Sequence, residues 1–311
     1  MLLEKLINPK PKTTLIFVVF SVIFLVLPFV LNSSLFINND NSYSTLYFIV
    51  AVLIIVLHAF GLNNLIYKND VIKKENLIVG TVFILLNTFH YNSNINLITS
   101  FLLLFFINYL LESYQKEFPF HEIFCGSFIL SIITIFNPIV ALLYLSFLSC
   151  SFIFNFNNWR SYCVSFLGLL MPLLIVFMYS SIVNVNTNIL SIYSLPNFSF
   201  NYVEILKFYK VHQNVLIVFL LISLISFIEF FNWLYKKSIR SRKSFFIILI
   251  YFIITIAIIL FTSTINWYLI LSPLSVFIAN YFTYTKKRNL ANILFYAFIL
   301  ASLYYRTMIM I

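Results

Sequence analysis

Asp, Glu, Lys and Arg make up only 9% of this 311-residue chain, so an ionisable group inside an apolar run is a candidate for chemistry. Glu229 stands about two turns before Lys236 in the run 215–235, and Glu112 lies near the end of the run 97–114. A carboxylate at such a depth is costly in hydrocarbon. It serves either as a coupling or proton-relay group or as the partner of a lysine or arginine snorkelling to the interface. His58 sits midway along the run 44–66 and is either a neutral, hydrogen-bonded core group or a titrating one.

The segment 184–214 is the longest polar interruption. It opens with NVNTN, turns at Pro196-Asn197 and ends in YVEILKFYKVHQN. Val203, Leu206 and Tyr209 recur at helical spacing, with Glu204, Lys207 and Lys210 mostly on other faces. That pattern predicts an amphipathic helix over 198–212 on the outer membrane surface. Its lysines suit a phosphate or pyrophosphate, with Glu204 beside them, and His212 adds acid–base capacity. The alternative is a lid helix whose lysines meet lipid phosphates. Asp40 in the loop 32–43 and His90 in the loop 90–96 would complete an outward-facing pocket. These three, Asp40, His90 and His212, are the catalytic candidates; substrate contact falls to Lys207, Lys210, Glu204, Glu229 and His58.

Several chemistries lack their motifs. The chain has neither a phosphate-binding GxxxxGK[ST] loop nor a GxGxxG turn, which excludes a one-chain ATP-driven pump. It has no HExxH, and His121-Glu122 are adjacent rather than one turn apart. Cys125, Cys150 and Cys163 show no metal spacing and read as buried structural thiols. No metal and no cofactor is expected.

The elements that must position these residues are membrane helices. With 62% hydrophobic and 9% charged residues, the chain cannot coat a water-facing surface, which excludes a soluble or disordered protein. Eleven apolar runs qualify: 13–31, 44–66, 77–89, 97–114, 123–136, 138–156, 163–183, 215–235, 244–262, 267–284 and 290–310. The runs 77–89 and 123–136 are short for a hydrocarbon core of about 30 Å. Each either thins the bilayer, extends into its flanks or is re-entrant. Pro28, Pro172 and Pro273 fall inside runs and should kink them. Only four glycines occur and no GxxxG, so glycine-mediated packing is not expected to be the main device.

Loop charge orients the spans. Lys and Arg total 19 against 9 Asp and Glu, a net +10. In a membrane protein this excess belongs to cytoplasmic loops rather than to nucleic acid. With the N-terminus inside, sixteen of the nineteen basic residues fall on inner loops; Lys207, Lys210 and Arg306 fall outside. The expected fold is all-α, a single polytopic membrane domain of about eleven helices, N-in and C-out.

The opening LINPKPKTTLIFVVF (6–20), the turn Asn137-Pro138 and the stretch FNFNNWRSYCVSFLGLLMP (154–172) resemble a family of uncharacterised multi-spanning inner-membrane proteins of Bacteroidetes. The likeness covers nearly the whole chain and implies no reaction. A looser likeness is to polyprenol-dependent glycosyltransferases, polymerases and ligases of envelope assembly, in the span number, the aromatic content and the longer outer loop. Three functions remain open: transport or flipping of a lipid-linked or hydrophobic envelope substrate, a polyprenol-dependent envelope enzyme, and a non-catalytic assembly subunit. The expected partners are membrane lipids and a lipid-linked phosphate, in the bacterial inner membrane.

Overall fold

In an apolar medium a backbone must hydrogen-bond to itself, and a helix does so within one segment. A computed structural model describes residues 2–31, 42–87, 94–182, 202–261 and 267–309, and every regular element among them is helical. In order these are α1 (Leu2–Ile7), α2 (Pro11–Leu31), α3 (Ser42–Lys68), α4 (Ile78–Leu86), α5 (Asn94–Glu112) and α6 (Phe120–Phe136). A 3-10 turn (Pro138–Leu143) leads into α7 (Tyr144–Phe154). The rest are α8 (Trp159–Ile182), α9 (Tyr202–Leu234), α10 (Ile239–Phe261), α11 (Tyr268–Tyr284) and α12 (Arg288–Ile309). A helix thus falls on each of the eleven apolar runs, and five helices are long and apolar enough to cross a membrane.

The surface is that of a protein whose solvent is hydrocarbon. On α9, Phe219, Ile222, Ser226 and Phe230 are buried, while Leu220, Leu224, Ile228 and Phe231 are exposed. An apolar outer face of this extent is unsuited to water. Helical serines and threonines fold back on the preceding turn, as Ser226 Oγ does in donating to Ile222 O at 2.7 Å. The hydroxyl thereby finds a partner without leaving its helix.

The residues divide into two compact units. The first comprises Met1–Ile98, Ile205–Ser238 and Trp267–Ile311. Its centre is α4, only nine residues long with all nine buried. At about 1.5 Å per residue it covers roughly 14 Å, under half of a ~30 Å core. Gly80 lets α3 approach closely, since a Cβ there would meet Ala59 O at 2.8 Å. The Gly80 N–H donates to Asn63 Oδ1 at 2.9 Å. On another side, Phe227 and Phe230 of α9 pack against Phe277 of α11.

The second unit comprises Thr99–Glu204 and Ile239–Asn266. Here α6 and α8 form its closest helix pair, and Ser131 Oγ donates across it to Leu169 O at 2.7 Å. Gly168 sits at the tightest point, where a Cβ would lie 2.0 Å from Ser127 Oγ. Each unit thus has one close approach at a glycine, Gly80 and Gly168, without a GxxxG. A single glycine suffices where the facing residue is small.

Three further expectations meet the structure differently. The segment expected to lie outside is helical from Tyr202, but as the first turns of α9, which runs unbroken through Gln213 and Asn214 to Leu234. Polar residues alone do not stop a helix whose hydrogen-bond ladder is intact. Arg306, counted among outer loop charges, is buried at 2% exposure. Of the thiols, Cys150 is buried, Cys125 is half-buried and Cys163 is exposed on α8.

Candidate functional site

Along α9 and the turn that follows it, Ile225, Glu229, Asn232 and Lys236 recur every three or four positions, which places them along one side. That side forms one wall of a groove of about 660 Å³ in the first unit. The opposite wall is the last turn of α11, with Tyr281, Tyr284 and Thr285, followed by Lys286, Lys287 and Leu290 at the start of α12. From Ile225 to Lys236 is eleven residues, about 16 Å along the helix axis. The groove runs from an apolar end at Ile225 and Ile228 to a cationic mouth at Lys236, Lys286 and Lys287.

Glu229 lies between the two ends. It is half-buried, and among the described residues no cation comes within ion-pair distance of its carboxylate. Of its two expected roles, the pair with Lys236 is not made. The carboxylate instead faces the groove together with Asn232 and Tyr281.

The mouth is held by aromatic packing. The Trp233 and Tyr284 rings lie 4.6 Å apart, and the Lys237 ammonium sits 3.5 Å from one ring centroid and 3.6 Å from the other. Lys74 approaches the Tyr284 ring at 5.8 Å, and the Lys73 N–H donates to Tyr284 Oη at 3.2 Å. Burial, and then repulsion from Lys73 and Lys74, push the Lys237 pKa down to about 7. The two ring faces act the other way, since their quadrupoles favour the ammonium. Arg288 fixes the loop beyond α11 by donating to Phe282 O at 3.2 Å and Thr283 O at 3.3 Å. A cation there also meets the negative end of the helix dipole.

His58 belongs to the core rather than to the groove. It is 1% exposed, with Nε2 3.1 Å from Ser272 Oγ and its ring stacked on Phe83 at 4.2 Å. Of its two readings, this arrangement matches the hydrogen-bonded core histidine. Asp40 and His90 lie outside the described residues. Glu204, Lys207, Lys210 and His212 fall on the first turns of α9, with their side chains outside the described set. In the second unit, Lys116 pairs with Glu122 at 2.5 Å, and His121 Nε2 lies 3.7 Å from Cys125 Sγ. Among the described residues, no group of three or more His, Cys, Asp or Glu could hold a metal.

In the linear chain Lys286 and Lys287 read only as orienting charges, Lys236 also as a partner for Glu229, and Asn232, Tyr281 and Tyr284 carried no weight. One signal was legible: Glu229, Asn232 and Lys236 form a polar stripe at the end of a predominantly apolar run. The facing wall was not, because α11 and α12 are distant in the chain. No family model, curated protein or solved structure matches this chain.

Proposed function

We propose that this is a multi-pass protein of the bacterial inner membrane that moves a lipid-linked envelope substrate between leaflets. In this reading the polar headgroup travels along the Glu229 groove while the hydrocarbon tail stays in lipid. The observation that carries it is the unpaired Glu229 carboxylate inside a groove that runs about 16 Å from an aliphatic end to a cationic mouth, half of a ~30 Å core. Glu229, Asn232 and the Tyr281 hydroxyl offer hydrogen-bond partners to a headgroup that has left water. That substitution lowers the desolvation cost, which is otherwise several kcal/mol per polar group.

The test is leaflet exchange of a fluorescent polyprenyl phosphate in vesicles holding the purified protein, read by quenching of the outward-facing dye. The wild type should accelerate exchange over protein-free vesicles, and Glu229→Gln should slow it at least tenfold. No acceleration by the wild type would end this reading.

The proposal includes the orientation: eleven crossings, N-in and C-out, with the mouth on the cytoplasmic side. Reporters fused after residue 240 and after residue 311 should then lie on opposite sides. Finding both on one side would remove the eleven-span topology.

A further inference from the structure

Six lysines gather at one end of the first unit. Lys236, Lys286 and Lys287 line the groove mouth, and Lys73, Lys74 and Lys237 surround the adjoining Trp233–Tyr284 pair. Among the described residues, none of the six has a carboxylate within ion-pair distance. The contrast within this chain is Lys116, which does find one in Glu122. Lysines crowded in this way repel one another, and among the described residues no ion pair compensates them; solvent ions or a bound anion then do so. Two features also fix where an anion would sit. Lys237 is clamped between two rings and has little freedom to swing into solvent. The N-terminal end of the 22-residue α12 opens onto the mouth at Leu290, adding the positive end of its dipole.

From this charge complementarity we infer that the groove mouth is a docking site for the phosphomonoester or pyrophosphate headgroup of a lipid in the adjacent leaflet. The inference rests on the transport reading only for its account of why the headgroup is held there. Three groove lysines against one carboxylate, Glu229, leave an excess of two positive charges, which matches a doubly charged headgroup better than a singly charged phosphodiester. The lipid rather than free phosphate is the occupant because Leu290 lies at the mouth with the lysines and the groove leads from there to an apolar end at Ile225 and Ile228.

Native mass spectrometry of the detergent-purified protein, titrated with a polyprenyl pyrophosphate, phosphatidylglycerol or inorganic pyrophosphate, tests the assignment. The polyprenyl pyrophosphate should bind at least tenfold more tightly than either of the others. Lys286→Gln with Lys287→Gln should weaken it about thirtyfold, from about one basic-residue increment each. Lys10→Gln with Lys12→Gln, exposed lysines away from the groove, should leave it unchanged. A matching elution profile on size exclusion shows that the variants fold. Unchanged affinity in the Lys286/Lys287 variant, or equal binding of phosphatidylglycerol, would overturn the site. Equal binding of inorganic pyrophosphate would overturn the lipid as its occupant. Binding as expected without leaflet exchange would strike the transport reading and leave the site standing; Glu229→Gln should slow exchange while binding persists.

Discussion

Arg306→Met should lower the stability of the first unit by about 3 kcal/mol, read as a fall in the thermal midpoint of the detergent-purified protein. The reason lies in a proline 278 positions earlier. Pro28 has no N–H, so the carbonyl four residues before it, Phe24 O, loses its helical donor. Arg306 Nη1 supplies a replacement at 2.9 Å, and Nη2 donates to Asn87 O, at the buried C-terminal end of α4, at 3.3 Å. The guanidinium also lies 4.4 Å from the Phe24 ring centroid. Methionine keeps the bulk and removes the donors, leaving two buried carbonyls that each cost about 1–3 kcal/mol. A double-mutant cycle makes the cause specific. Pro28→Ala returns an N–H to Phe24 O, so Arg306→Met should cost less in that background. Equal costs in both backgrounds would show that the arginine does not act through this carbonyl.

Gly168→Ala should destabilise the second unit by about 3 kcal/mol, near the top of the range for overpacking. The added methyl would lie 2.0 Å from Ser127 Oγ and 2.8 Å from Phe124 O. Ser127 cannot simply turn away, because its hydroxyl donates to Ile123 O at 2.8 Å. The Phe124 contact is to backbone, so α6 and α8 must separate. Adding Ser127→Ala removes the worse clash and leaves the carbonyl contact, so the double variant should recover only part of the loss. Gly126→Ala is the control. There the nearest atom is Tyr109 Cβ at 3.5 Å, an ordinary contact. That change should be neutral or stabilising by up to about 1 kcal/mol through helix propensity. Equal midpoints for the Gly126 and Gly168 variants would refute the close-approach account.

The linear chain discloses these contacts unequally. Pro28, Pro172 and Pro273 announce freed carbonyls wherever they occur, because the missing N–H is covalent. Which group answers each carbonyl is invisible there: nothing near Arg306 in the chain points to Phe24 or Asn87. Glu229 repeats the pattern. Its depth within an apolar run singles it out at once, and Asn232 and Lys236 on the same stripe extend the signal. Whether it would pair with Lys236 or line a groove depended on α11 and α12, which bring Tyr281, Lys286 and Lys287 opposite.

The placement of eleven of the helices was already present in the apolar runs, α1 (Leu2–Ile7) lying outside them, and the physical reason is local. A segment without water must satisfy its backbone within itself, through bonds four residues apart, so composition along a short window is enough. The same locality explains why His58, in mid-run, could be narrowed to two roles but not one: its Ser272 and Phe83 partners come from other helices. Lateral arrangement follows a different rule. Between helices in lipid there is no hydrophobic direction, so facing is settled by close fits and polar pairs such as Gly168 against Ser127 or Asn63 against Gly80. Those fits are pairwise and long-range, and they decide that the Glu229 carboxylate shares one groove with Lys236, Lys286 and Lys287.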